Sequence, residues 1–193
     1  MPSTPPAPAR NRPPGVLTDA LPAGAVTSVL VVLAGAAVIG LCAQVSIPLP
    51  GTPVPLTLQT FAVLLVSAAL GPRRAVAATA GYVAAGFAGL NWFSPGAGPA
   101  ATGYLLGFVG CALLVGTLAR RGMDRRFGRT VALLAAGDLI ILVSGATGLA
   151  LVLHVGPVPA VIVGVLPFLL GDAVKVLAAA ALLPAAWRVV GAR

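Results

Sequence analysis

Long apolar runs with few polar positions make up most of this chain. Six runs can be drawn: Val26–Val45, Leu56–Leu70, Ala75–Leu90, Ala101–Ala119, Thr130–Val155 and Val158–Ala186. A helix crosses a bilayer with about 20 such residues. The second and third runs are shorter, and Gly71-Pro72-Arg73-Arg74 between them is a strong turn signal, which favours two short helices over one long one. The pattern therefore predicts an all-α membrane bundle of six transmembrane helices.

Composition supports a membrane protein. Hydrophobic residues make up 59% of the chain and charged residues 8%, whereas a soluble domain has about a quarter charged residues. A net charge of +8 would suggest nucleic acid as a partner of a soluble protein, but no basic stripe with interleaved aromatic residues is present. We therefore expect a lipid bilayer as the surroundings and no nucleic-acid partner.

Arginine residues occur only in alternate connections between the apolar runs and in the segments before the first run and after the last. They are Arg10 and Arg12, Arg73 and Arg74, the five arginines from Arg120 to Arg129, and Arg188 with Arg193. The other connections, Ser46–Pro55, Asn91–Ala100 and His154–Pro157, contain no Lys or Arg. The positive-inside rule then predicts a multi-pass protein of the plasma membrane with both termini in the cytoplasm.

Three regions follow from these patterns. Residues 1–25, rich in Pro and Ala, predict a disordered cytoplasmic tail. Residues 26–186 form the predicted six-helix transmembrane domain, and residues 187–193 form a short basic cytoplasmic tail.

Three charged residues lie inside predicted spans: Asp138, Asp172 and Lys175. Each costs at least about 2.5–3.5 kcal/mol at the bilayer centre. Asp172 and Lys175 are three residues apart, so they share a helix face and can neutralise one another. Pro167 precedes them and predicts a kink, because it removes a helical hydrogen bond and clashes with the carbonyl of Val163. The pair indicates either a ligand or ion path or a buried ion pair that sets helix register; Asp138 has no assigned role.

Polar and aromatic groups in the uncharged connections predict a cavity on the outer side. The proline-rich Ser46–Pro55 segment is stiff and is expected to form a cover. Thr57 and Gln59 either line the cavity or meet lipid headgroups. Trp92 and Phe93 are either cavity residues or interfacial anchors, and the hydroxyl of Tyr104 needs a partner once it is buried. A mostly apolar site with few polar groups fits a small amphipathic ligand.

Catalysis and metal binding are not expected. His154 is the single histidine, so a His-type metal site has no second imidazole. Cys42 and Cys111 fall in different predicted spans, and Ser144 has no nucleophile elbow around it. No Walker motif occurs. The sequence therefore predicts no catalytic residues, no metal, no cofactor and no ATPase of its own.

Three segments of the sequence resemble the BioY family, the biotin-specific S components of energy-coupling factor (ECF) transporters. They are Val54-Pro55-Leu56-Thr57-Leu58-Gln59-Thr60, Thr102-Gly103-Tyr104-Leu105-Leu106-Gly107-Phe108, and Leu166-Pro167-Phe168-Leu169-Leu170-Gly171-Asp172-Ala173-Val174-Lys175. The resemblance runs from about residue 30 to residue 186, and the last motif is the most specific.

The resemblance implies a six-helix subunit that captures biotin from outside and works with a transmembrane coupling (T) protein and two cytoplasmic ATPases. It implies that Asp172 accepts N–H groups of biotin, that Lys175 meets an oxygen, and that Tyr104, Trp92, Thr57 and Gln59 belong to the site.

The loop at residues 91–100 is shorter than the family pattern, and Asn91 and Ser94 are its candidate polar contacts. Small residues of the first helix, Ala36 and Gly40, become candidates for contact with the coupling protein rather than for packing within the chain alone. Open alternatives are an S component for another vitamin, a proton-coupled secondary transporter that uses Asp138 or Asp172, and an intramembrane enzyme.

Overall fold

The computed structural model describes residues 15–190. Helices α1 to α6 are Ala25–Ala43, Gln59–Phe87, Thr102–Arg120, Phe127–Leu153, Pro157–Gly164 and Leu169–Val189. Connections contain 3-10 helices at Leu17–Ala20, Pro99–Ala101 and Met123–Arg125, and the two-residue strands β1 (Ser46–Ile47) and β2 (Leu56–Thr57). Within the described residues, five helices, all but α5, are long and apolar enough to cross a membrane. The predicted all-α membrane bundle is confirmed.

Helix α2 is a hairpin of two helices. Gly71 interrupts it with φ 73° and ψ 174°, and Pro72 follows. The side-chain nitrogen of Gln59 donates a hydrogen bond to the hydroxyl of Tyr82 at 2.7 Å, although in a straight helix these residues would lie about 35 Å apart. The chain therefore reverses at Gly71. Residues 59–70 and 72–87 run antiparallel as two short helices, as the turn signal predicted.

The last apolar run, Val158–Ala186, is divided between two helices. Helix α5 ends at Gly164, residues 165–168 form turns, and α6 begins at Leu169. Pro167 lies in this break, because it has no N–H with which to continue the helix. The kink predicted at Pro167 is confirmed, and it is large enough to separate two helices.

The bundle has two ends of different composition. The cavity end contains residues 44–58, 88–101 and 154–156, where β1 pairs antiparallel with β2. The arginine end contains residues 71–74, 120–129 and 188–190, and it holds every Arg among the described residues. The predicted separation of charged from uncharged connections is therefore a property of the fold, whereas the assignment of either end to the cytoplasm stays a prediction.

Part of the segment that we expected to be disordered packs on the bundle. Residues 1–14 lie outside the described residues, but Val16 is completely buried. The hydroxyl of Thr18 donates to the backbone carbonyl of Ala69 at 3.1 Å, and Arg74 pairs with Asp19 at 3.5 Å. Gly15–Ala20, named here the N-terminal strap, thus closes over the α2 hairpin at the arginine end. The predicted C-terminal tail is likewise helical up to Val189.

The small residues predicted to contact a partner helix face inward. Ala36 is buried in the core, and a Cβ added to Gly40 would lie 2.8 Å from the ring of Trp92. In this structure both residues pack within the chain, and a partner contact at Ala36 and Gly40 stays a prediction that their position does not support. The opposite face of α1, which includes Ala34 and Ala37, is exposed.

Candidate ligand-binding site

A cavity of about 420 Å³ lies at the cavity end of the bundle. Its volume falls within the range of roughly 300–1,000 Å³ that is typical of small-molecule sites. Of the six helices, α2, α3, α4 and α6 contribute residues to its wall. The lining residues are Val54, Pro55, Leu56, Thr57, Gln59, Thr60, Gly86, Phe87, Phe93, Ser94, Ala97, Gly98, Pro99, Ala101, Thr102, Tyr104, Leu105, Phe108, Ile141, Leu142, Phe168, Asp172 and Lys175.

Asp172 and Lys175 bring the cavity its ion pair. They lie in the first two turns of α6, and the ammonium of Lys175 donates to a carboxylate oxygen of Asp172 at 2.8 Å. Only 4% of Asp172 and 8% of Lys175 is exposed. Both side chains border the cavity, so the predicted shared face points into the bundle. A buried carboxylate and ammonium at a cavity wall can each form further hydrogen bonds with a polar ligand.

Thr57 and Gln59 also line the cavity, as one of the two open readings proposed. The hydroxyl of Thr57 donates to the side-chain oxygen of Gln59 at 3.2 Å, and the amide nitrogen of Gln59 donates to the hydroxyl of Tyr82 at 2.7 Å. Gln59 is buried at the start of α2. This chain of hydrogen bonds holds the Gln59 amide in one orientation, which suits a group that recognises a ligand.

Tyr104 lines the cavity with its ring, while its hydroxyl has a structural task. The hydroxyl donates to the backbone carbonyl of Gly164 at 2.5 Å. Gly164 ends α5, so its carbonyl lacks the continuing helix that would supply a donor. The predicted need for a hydroxyl partner is met here by the broken helix, and Tyr104 therefore connects the cavity wall to the break that positions Asp172.

The loop residues 91–94 divide into two groups. Ser94 is buried and borders the cavity, but Asn91 is exposed and does not. Trp92 is also absent from the lining: its indole N–H donates to the carbonyl of Tyr82 at 3.1 Å, and its ring stacks on the Tyr82 ring with centroids 5.0 Å apart. Asn91 and Trp92 therefore do not line this cavity, and Trp92 anchors the loop; their contact with a ligand stays a prediction.

Sequence reasoning missed most of the apolar wall. Phe93, Phe108 and Phe168 border the cavity. Two of them had a usable signal, since Phe108 follows Tyr104 by four residues and Phe168 precedes Asp172 by four, which places each pair on one helix side. For Phe93 the sequence left open a place in the cavity or an interfacial anchor, because a loop has no periodicity from which the direction of a side chain can be read.

The proline-rich segment forms a cover only with its last residues. Val54, Pro55 and Leu56 border the main cavity. The earlier part of the segment lines a second cavity of about 310 Å³, together with Pro95 and Gly96 of the facing loop. The segment thus separates two cavities, and Pro55 borders both of them.

Asp138 remains outside the cavity lining. It is buried in α4, and its Oδ1 atom has no hydrogen-bond partner. Among residues 15–190, no three His, Cys, Asp or Glu side chains come together as a metal site would require. The arrangement is that of a binding cavity with one ion pair, one oriented amide and an aromatic wall.

Three comparisons relate this bundle to known proteins. A family model described as the BioY family matches residues 14–192. A relative named "Biotin transporter BioY", from Thermotoga maritima, is 37% identical over 144 residues, which cover 72% of this chain and 82% of the relative. The fold is similar to a solved structure titled "Crystal structure at 2.1 A of the S-component for biotin from an ECF-type ABC transporter". Its TM-score is 0.76 at 20% identity, and the match covers 84% of this chain and 92% of that one.

Proposed function

Because the chain belongs to the BioY family, we propose that it is the biotin-binding S component of an ECF transporter. One observation carries this proposal: the buried ion pair of Asp172 and Lys175 borders a mostly apolar cavity of about 420 Å³. An isolated ion pair that only set helix register would have no reason to face such a space.

The chemistry of biotin matches the groups around the cavity. Its ureido ring offers two N–H donors and one carbonyl, and its fused rings and chain are apolar. Asp172 can accept an N–H group, while Lys175 can donate to a ligand oxygen. The rings of Phe93, Phe108 and Phe168 supply the apolar contact that removes the rest of the ligand from water.

The charge distribution supports an orientation for uptake. With every described Arg at one end, the positive-inside rule places the arginine end in the cytoplasm of a plasma-membrane protein. The cavity end then faces outward and captures biotin there. Transport against a gradient requires energy that this chain has no nucleotide motif to supply, which fits a division of labour with a T protein and two cytoplasmic ATPases.

The exposed side of α1 is the surface that we propose for the T protein. Ala34 and Ala37 are exposed there beside Leu33 and Leu41, and small residues permit close approach of a second helix. Ala37→Leu should therefore weaken co-purification with the T protein. Ala181→Leu, on the exposed side of α6, is the matched control and should leave co-purification unchanged; equal effects of both would argue against this surface.

Equilibrium binding of biotin to the purified full-length protein tests the function. We expect tight binding that collapses in Asp172→Asn, since the amide keeps the shape of the side chain but loses one acceptor and the charge. Asp19→Asn is the matched control, because it makes the same chemical change far from the cavity, and it should bind biotin as the wild type does.

Competition of other vitamins with bound biotin tests whether the cavity is specific for biotin. Displacement of bound biotin by another vitamin at lower concentration would assign the cavity to that vitamin. Absence of measurable biotin binding by the intact protein would refute the proposal. Uptake by this chain alone, abolished by a protonophore, would favour a proton-coupled secondary transporter.

A further inference from the structure

Asp138 is a buried carboxylate whose role the cavity alone does not explain. It is 7% exposed, and its Oδ1 atom is buried without a hydrogen-bond partner. Burying a carboxylate without a compensating partner is expensive. A side chain that carries this cost in the middle of a membrane helix is a candidate for a function.

The helix registers place Asp138 beneath the wall of the cavity. Ile141 and Leu142 border the cavity, and Asp138 precedes them on α4 by three and four residues. It therefore lies on the same side of α4, about one turn of 5.4 Å further from the cavity end.

Lys175 lies on α6, another helix that borders the cavity. Helices α4 and α6 run antiparallel and pack together. Lys175 follows Asp172 by about one turn, so it also lies further from the cavity end than Asp172. Asp138 lies close enough to both residues for electrostatic interaction, repulsive with Asp172 and attractive with Lys175. The ammonium that pairs with Asp172 is thus within electrostatic reach of a second carboxylate, that of Asp138.

The donors and acceptors of the three groups are complementary. A lysine ammonium has three N–H donors, and one of them is given to Asp172 at 2.8 Å. Asp138 Oδ1 offers an acceptor that no group uses. Lys175 also has a flexible four-carbon stem, which lets its charged end move while its Cα stays in place.

We propose that Asp138 is the second partner of Lys175 and a positioning residue for ligand binding. When a ligand with N–H donors occupies Asp172, the ammonium of Lys175 moves from Asp172 to Asp138 Oδ1. The buried positive charge is then paired both with and without ligand. This inference rests on the proposed function, since biotin supplies the N–H groups that compete for Asp172.

A double-mutant cycle on the full-length protein tests the inference. Biotin affinity is measured by calorimetry for the wild type, Asp138→Asn, Lys175→Met and the double variant. Asp138→Asn should weaken binding by about tenfold, a coupling typical of groups in contact. In the Lys175→Met background, Asp138→Asn should change the affinity less than about twofold, because the ammonium that pairs with Asp138 is absent.

Infrared difference spectra provide a second test that does not need the Lys175 variant. A purely structural role of Asp138 would leave its carboxylate band unchanged on biotin binding. Biotin should shift a carboxylate band in the wild-type protein, and that band should be missing from the Asp138→Asn spectrum. Asp124→Asn, a buried aspartate at the arginine end, is the matched control and should retain both the band and the affinity.

Three results would overturn the inference. Wild-type affinity in Asp138→Asn, or the same loss in both backgrounds, would show that Asp138 does not act through Lys175. Absence of a biotin-induced carboxylate band from Asp138 would show that its surroundings do not change. Failure of the wild type to bind biotin would instead refute the proposed function, and this inference would fall with it.

Discussion

The two ends of the bundle use similar polar groups in opposite ways. At the cavity end, Asp172, Lys175 and Gln59 surround an open space of about 420 Å³. At the arginine end, Asp124 is completely buried, and its Oδ2 atom accepts a hydrogen bond from the indole N–H of Trp187 at 2.7 Å. Space beside the polar groups allows ligand binding at the first end, whereas at the second end the buried Asp124 holds Trp187 in place.

Helix α6 joins the two regions. Asp172 and Lys175 lie near its start, and Trp187 lies near its end. The guanidinium of Arg125 lies 4.5 Å from the centroid of the Trp187 ring, a distance at which cation–π attraction is effective. The arginine end therefore holds one end of the helix whose other end carries the ion pair. Changes at the cavity end should alter binding, and changes at the arginine end should alter stability without altering binding.

The largest expected effect is at the cavity end, in Lys175→Met. The substitution leaves the Asp172 carboxylate buried without its cation, so the free energy of unfolding should fall by about 3–5 kcal/mol, and biotin should bind measurably but more weakly than to the wild type. Thermal or denaturant unfolding in detergent measures the first quantity. The double variant Asp172→Asn with Lys175→Met should recover most of the stability but none of the binding. Equal stability of the single and double variants would contradict this reading of the pair.

A smaller effect on stability alone is expected at the arginine end, in Gly71→Ala. The backbone at φ 73° and ψ 174° is a region that essentially only glycine occupies, at a cost of about 1–3 kcal/mol for other residues. An added Cβ would also lie 3.0 Å from the guanidinium of Arg120. Biotin affinity should not change.

The matched control for Gly71→Ala is Gly81→Ala. Gly81 lies in the second half of the same hairpin, and an added Cβ there would meet nothing within 4 Å. Because alanine is the better helix former, this variant should be as stable as the wild type or more so. A loss of biotin affinity in Gly71→Ala would mean that the two ends are coupled rather than separate.

Hydropathy and turn residues were sufficient to predict much of the fold. The apolar runs marked the helices, and Gly71-Pro72 marked the reversal of α2 because few residues can occupy that backbone conformation. Pro167 marked the break between α5 and α6 for a similar local reason. Asp172 and Lys175 were found because charge is expensive in a membrane helix, and this cost is visible in the sequence.

Features that depend on side-chain direction were not predictable. Helix α1 is apolar on all sides, so its sequence contains no periodic signal that Ala36 and Gly40 face inward. Trp92 was assigned to the ligand site from the sequence. Its contact with Tyr82 depends on the geometry of the α2 hairpin, which the sequence does not specify in this detail. Val16 and Leu17 form a short apolar pair in a segment rich in Pro, and nothing local indicates that Val16 is buried at the arginine end.

A pH effect is expected from Asp124, in the connection between α3 and α4. Burial raises the pKa of Asp124 above its usual 3.8, although the hydrogen bond from Trp187 lowers it in part. The folded protein therefore binds the proton more tightly than the unfolded chain. As the pH rises from about 3.8 through the raised pKa, this group makes stability fall.

The difference in unfolding free energy between the wild type and Asp124→Asn, measured across this pH range, isolates that contribution. The wild type should lose stability relative to the variant as the pH rises. Trp187→Phe removes the hydrogen bond that lowers the pKa of Asp124. In this variant the fall in stability should therefore extend to higher pH. A wild type that gains stability relative to Asp124→Asn on the same rise would contradict the sign.

The smallest effect is expected in the N-terminal strap, from Asp19→Asn. Asp19 pairs with Arg74 at 3.5 Å at a partly exposed position, and such pairs contribute about 0.2–1 kcal/mol. Arg74 also donates to the hydroxyls of Thr18 and Ser28, each at 3.2 Å, so the arginine keeps two partners after the change. Salt should reduce the difference between variant and wild type further, and biotin affinity should be the same for both. An altered affinity would mean that the strap acts on the cavity from the opposite end of the bundle, because Asp19 is not among the residues that line the cavity.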